Sequence, residues 1–194
     1  MSKQLILLRH GKTGCSGRYV GSLDVPLSEE GKAQISALES FFSDISGKTV
    51  LCSPMRRCRQ SSEILFKDCS LEIDEDLREI DFGRWEGKSF QEIADTDPLL
   101  VERWGTWSED FRFPEGERIG DFIKRIRRVA AAIEKSAHDE LVVVAHGGVI
   151  RALLCCFLRL DPSSYLLFQV KKGRFCTLEL FSEGAVLTGL NIGN

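Results

Sequence analysis

Histidine is scarce in this 194-residue chain, which holds only His10, His138 and His146. Seven cysteines occur, yet Cys15, Cys52, Cys58, Cys69, Cys155, Cys156 and Cys176 contain no Cys-x-x-Cys pair. The missing pair argues against a zinc site, and the odd count against a closed disulfide framework. Cys155 and Cys156 fall inside the apolar run Ala152 to Leu160, where cysteine behaves as a small hydrophobe. No metal and no cofactor are expected. No stretch reaches the roughly 18 uninterrupted apolar residues of a membrane span. The opening Met1-Ser2-Lys3-Gln4 lacks the basic, apolar and small-residue regions of a signal peptide, so a cytoplasmic location with no membrane partner is expected. A formal charge of −3 provides no global attraction for nucleic acid. Any anion site must be local. Internal repeats and low-complexity segments are absent as well.

What is present is the composition of an ordinary folded domain, 43% hydrophobic and 28% charged. The length fits one domain over 1–194 with a full core, and an excursion at about 81–117. Strand and helix signals alternate, the pattern of an α/β fold. Strands are predicted at Gln4 to Leu8, Thr49 to Cys52, Leu71 to Ile73, Leu141 to Ala145, Phe175 to Phe181 and Ala185 to Leu190. A helix capped by Ser28 is predicted to about Phe42, and a second to about Phe66, with Ser53 as cap and Pro54 at its first position. Helical spacing of Ile119, Phe122, Ile123, Ile126, Val129, Ala130 and Ile133 marks a long amphipathic helix from about Glu117 to Lys135. A last helix is expected from Val149 to about Leu158. The excursion holds all three tryptophans, Trp85, Trp104 and Trp107.

Two apolar runs end in the same dipeptide. Leu5 to Leu8 delivers Arg9-His10-Gly11, and Leu141 to Ala145 delivers His146-Gly147-Gly148. Open α/β sheets gather functional groups at the carboxyl ends of parallel strands, so the two histidines can meet in space. Neutral imidazole attacks phosphorus without a metal or triad, provided its other nitrogen is held by a hydrogen bond. Arg9 and an arginine from Arg56-Arg57-Cys58-Arg59 can fork the phosphoryl oxygens. His146, followed by two glycines and a helix, stands where backbone N–H groups favour an anion, and Gly147 lets the backbone approach it.

Five ordered segments resemble those of the histidine phosphatase superfamily, also called phosphoglycerate mutase-like. They are Leu7 to Thr13, Asp24 to Gly31, Ser53 to Cys58, Leu77 to Gly87 and Val144 to Gly148. The resemblance implies a three-layer α/β/α fold with a mostly parallel central sheet. It makes His10 the phosphorylated nucleophile, selects Arg57 over Arg56 and Arg59, and joins Arg9, Arg57 and His146 into the phosphate pocket. It gives Glu79 the role of proton donor, with Asp81 and Glu86 as rival carboxylates. The stretches Gly17 to Leu27 and Phe113 to Glu117 are most similar to the alpha-ribazole phosphatase branch. There, removal of phosphate from a nucleotide-loop intermediate of cobalamin synthesis is the implied activity. Ser16 and Arg118 depart from the residues often found at their positions.

The expected function is a metal-independent phosphomonoesterase acting on a small phosphorylated metabolite. Alongside the phosphate pocket and Gly147, substrate contacts are expected from Thr13, Ser16, Arg18, Tyr19 and Ser22, with Trp104, Trp107 and Arg112 contributing to discrimination. A phosphoglycerate mutase would favour a longer enclosing segment after the last strand than the one ending at Asn194. A module that only binds phosphorylated partners has no need of the full set of catalytic side chains. Oligomeric state is left open.

Overall fold

The computed structural model describes residues 2–43, 45 and 48–193, so Met1 and Asn194, the ends of the expected domain, lie outside the described residues. Six strands form one sheet: β1 (Lys3–Arg9), β2 (Thr49–Cys52), β3 (Ser70–Ile73), β4 (Glu140–Ala145), β5 (Phe175–Phe181) and β6 (Gly184–Ile192). Their spatial order is β3-β2-β4-β1-β5-β6. β1 and β2 pair parallel to β4, and β3 parallel to β2, while β5 and β6 add an antiparallel edge. The sheet is therefore mostly parallel.

Strand period two sorts the apolar side chains into two cores. Leu5, Leu7, Leu141, Val143 and Ala145 face one side, where they pack with α5 (Ile119–Lys135) and α6 (Gly147–Phe157). Leu8, Val142 and Val144 face the other, against Leu38, Phe42, Cys58 and Phe66. That second layer includes α1 (Glu29–Ser36) and α2 (Arg56–Leu65). All seven apolar positions read as the buried stripe of α5 are buried.

Register decides where the chemistry sits. Arg9 lies opposite Ala145, so His10 and His146 leave the sheet side by side. Cys52 lies opposite Val144, which brings Ser53 to the same edge.

Four helix starts or ends differ from the sequence reading, among them α5, which begins at Ile119 behind an extended Arg118 and not at Glu117. α1 stops at Ser36, because a tighter turn from Leu38 N–H to the Ile35 carbonyl directs Leu38 and Phe42 into the core, and a 3₁₀ turn follows at Glu39–Phe41. α2 begins at Arg56 behind an extended Met55, not at Pro54. Ser53 does not cap it, since its hydroxyl lies 2.8 Å from His146 Nε2. α6 begins at Gly147, two residues earlier than Val149, with His146 as its N-cap residue.

The excursion contains a 3₁₀ turn at Gly83–Trp85 and two short helices, α3 (Phe90–Thr96) and α4 (Pro98–Gly105). Ser89 and Glu92 form a capping box that starts α3. Trp85 is fully buried among Trp104, Phe111 and Phe113, and its indole N–H donates to Asp97 Oδ2 at 2.8 Å. A 3₁₀ segment, Pro162–Leu167, follows α6 and is unannounced by the sequence pattern.

Candidate active site

A cavity of about 330 Å³ opens over the carboxyl ends of β1 and β4. Arg9, His10, Arg57 and Gly147 form part of its wall, with Glu79 and Gly148. Tyr19, Phe82, Trp104, Trp107, Phe113 and Tyr165 supply an aromatic side.

His10 is only 5% exposed, and its Nδ1 lies 2.8 Å from the Gly11 carbonyl. A carbonyl can only accept, so Nδ1 carries the proton and Nε2 keeps its lone pair. Burial, with the Arg57 and Arg9 guanidiniums beside it, holds the His10 pKa well below the ordinary 6.5. The ring is neutral at physiological pH.

His146 is fully buried and stands behind the cavity wall, not on it. Its ring centroid is 5.1 Å from that of His10, at 63°. Arg57 Nε donates to His146 Nδ1 at 3.2 Å, so Nε2 carries the proton and donates to Ser53 Oγ. Burial, Arg57 and His10 also push this histidine's pKa well below 6.5. Cys58 Sγ touches the same ring at 3.4 Å, and burial raises its pKa far enough to keep it a thiol.

Of the arginine triplet, Arg56 and Arg59 are exposed and Arg57 is 1% exposed. Arg57 also donates to the carbonyls of Leu23 and Gly21, at 2.7 and 2.8 Å. Arg9 Nη1 donates to the Val170 carbonyl at 2.6 Å, but its buried Nε has no hydrogen-bond partner. An unsatisfied buried donor costs about 1–3 kcal/mol, which an anionic ligand oxygen could recover.

Glu79 is half-buried, and its Oε2 accepts from the Gly148 N–H at 3.0 Å. Neither rival carboxylate faces the cavity. Glu86 accepts from the backbone N–H groups of Gly21, Ser22, Leu23 and Phe82 and organises that loop. Asp81 closes a turn by accepting from Gly83 N–H at 2.9 Å. The two glycines of α6 leave room for the Arg9 and Glu79 side chains where these stand. A Cβ at Gly147 would lie 2.9 Å from Arg9 Cζ, and one at Gly148 2.4 Å from Glu79 Oε1.

Thr13, Arg18 and Tyr19 line the cavity as expected, but Ser16 and Ser22 do not. Ser16 is exposed, and Ser22 gives its backbone N–H to Glu86. Arg112 is also absent from the wall; it turns outward to the Gly116 carbonyl and Asp121. Arg118 likewise pairs outside, with Asp110 and Asp121. Sequence reasoning missed Arg151, Tyr165 and Lys172, which all line the cavity. Helical spacing gave a signal for Arg151, one turn after Gly147. Lys172 lies in a loop with no such period, and burial, Arg9 and Arg57 lower its pKa. Among the described residues, no group of three or more His, Cys, Asp and Glu side chains is placed to hold a metal ion. No described helix is long and apolar enough to cross a membrane.

The model for the histidine phosphatase superfamily (branch 1) matches residues 5–193. The chain belongs to the histidine phosphatase superfamily. An adenosylcobalamin/alpha-ribazole phosphatase of Escherichia coli is 27% identical to this superfamily member, over 97% of this chain and 95% of the relative. Phosphoserine phosphatase 1 of Hydrogenobacter thermophilus is 28% identical, over 97% and 92%. The crystal structure of the alpha-ribazole phosphatase from Shigella flexneri superposes with a TM-score of 0.89 at 26% identity, covering 97% of this chain and 96% of that one. The Shigella structure and the present chain share one fold over nearly their whole lengths.

Proposed function

We propose that this histidine phosphatase hydrolyses a small phosphomonoester through a phosphohistidine on His10. The observation that carries the reading is the tautomer: the proton on Nδ1 bonds to Gly11, which leaves Nε2 as a neutral nucleophile beside Arg9 and Arg57. In the first step the Nε2 lone pair forms the N–P bond as the P–O bond to the leaving group breaks. Protonated Glu79 gives its proton to the departing oxygen. In the second step Glu79 carboxylate takes a proton from water, the water oxygen bonds to phosphorus, and the N–P electron pair returns to His10. Arg9 and Arg57 supply charge stabilisation, with the unpartnered Arg9 Nε available to a phosphoryl oxygen. His146 acts from behind, holding Arg57 and the His10 ring in place.

The leaving group we assign to this cavity is flat and largely apolar, and alpha-ribazole 5′-phosphate is the leading candidate. Support comes from the aromatic side formed by Tyr19, Phe82, Trp104, Trp107, Phe113 and Tyr165, together with the relatives named above. In this reading residues 1–194 act as one domain, and the 81–117 segment covers the leaving-group side. A substrate panel tests it directly. Alpha-ribazole phosphate should exceed phosphoserine, phosphoglycerate and sugar phosphates in kcat/KM, with rates unchanged by chelator. Preference for a carboxylate-bearing substrate would overturn the leaving-group assignment. Loss in EDTA with recovery on a divalent ion would overturn the metal-independent mechanism.

A further inference from the structure

Arg125 lies on α5, outside the cavity wall, yet three of its five N–H donors go to backbone carbonyls of the segment that presents Glu79 and the other two to Glu117. Nε and Nη2 fork the Glu117 carboxylate at 2.8 and 2.9 Å. Nη1 donates to the carbonyls of Asp76 and Arg78, both at 2.6 Å, and Nη2 to that of Glu79 at 3.2 Å. Guanidinium has five donors, so none is left over. Glu117 completes the grip: its Oε2 accepts from Asp81 N–H at 3.3 Å, and its own N–H donates to the Asp81 carbonyl at 2.9 Å. The pair therefore holds the chain on both sides of Glu79. Both side chains are largely buried, at 12% and 18% exposure, where screening is weak. The Arg125 guanidinium also lies 4.8 Å over the ring of Phe122, a cavity-lining residue.

We propose that the Arg125–Glu117 pair is a positioning device for the general acid, setting where the Glu79 carboxyl meets the leaving oxygen. It acts through Glu79 and not on substrate. The proposal rests on the reading of Glu79 as proton donor. A generic stabilising ion pair would lower activity toward every substrate together, whereas a device aimed at Glu79 weakens only reactions that need the proton. Poor alkyl leaving groups need it; activated aryl leaving groups do not.

The test is a cycle of Arg125→Lys, Glu117→Gln and Glu79→Gln, measured with an alkyl and an activated aryl phosphate under conditions where phosphorylation limits. Arg125→Lys keeps the charge but cannot reproduce the planar fork. Each pair variant should lose on the order of tenfold or more in kcat/KM on the alkyl substrate and stay within about twofold on the aryl one. Added to Glu79→Gln, either should cost nothing further on the alkyl substrate. Thermal melts establish folding, and Glu117→Gln carries the test should Arg125→Lys unfold. Equal losses on both substrates, no loss, or full additivity with Glu79→Gln would overturn the positioning role. If Glu79→Gln alone affects both substrates equally, the general-acid reading falls and the proposal with it. Leaving-group dependence in Glu79→Gln but not in the pair variants removes only the proposal.

Discussion

Neutrality is the property that His10 and His146 share, and the fold enforces it by burying both beside Arg57. Their folded-state pKa values lie below the unfolded value of 6.5, so the unfolded chain binds more protons once pH falls under that value. Stability is therefore full above the ordinary histidine pKa. It should decline as pH drops below it, by about 1.4 kcal/mol per pH unit for each histidine, until the folded state protonates. Urea melts at about pH 7 and about pH 5 should show this slope in the wild type and a shallower one in His10→Asn. An identical slope in the two proteins would refute it. At this scale much was legible. The His-Gly ends of two apolar runs were visible as a pattern, because strand burial and a terminal dipeptide both register in sequence. Family motifs, not composition, separated Arg57 from Arg56 and Arg59, and only burial shows why the choice matters. Glu79 differs from Asp81 and Glu86 by which backbone N–H groups each faces, a fact that spacing does not carry.

Helix α6 shows how an element converts small residues into function. Its first two residues are glycines, which are poor helix formers by about 1 kcal/mol relative to alanine. Gly148→Ala should therefore leave the melting temperature unchanged or raised, since the new Cβ meets only the flexible end of Glu79. Displacing that carboxyl should nonetheless lower alkyl-phosphate turnover on the order of 10²-fold, the usual scale of a general acid. A Gly148→Ala protein with normal alkyl turnover would show that Glu79 does not work from this position. Gly21 offers the opposite case, because a Cβ there would lie 1.8 Å from the Ile80 carbonyl, where backbone cannot move aside cheaply. Elements with strong periods were read closely from sequence: β2 and β5 as observed, and the buried stripe of α5 in full. The errors fell at ends governed by tertiary contacts. Ser53 looked like a cap but bonds to His146, and α1 gives way where Leu38 enters the core.

Across the whole molecule, the cationic side chains proposed to hold phosphate and the aromatic ones proposed to hold the leaving group share one cavity with Glu79. The parallel order of β2, β4 and β1 explains the first end, and that much follows from two matching strand ends. The second end draws on Tyr19, Trp104, Trp107 and Tyr165, which come from three separate connections. Tyr165 packs on Trp107 at 4.8 Å, a contact between the excursion and the segment after α6 that no local pattern announces. In the proposed reading, covalent chemistry at His10 is what both ends of the cavity serve. Rapid quench of the enzyme during turnover, followed by peptide mapping, should find acid-labile, alkali-stable phosphate on His10 in the wild type. His10→Ala should fold, carry no such phosphate and turn nothing over. Phosphate found on Ser53 or Cys58, or turnover retained in His10→Ala, would contradict the account.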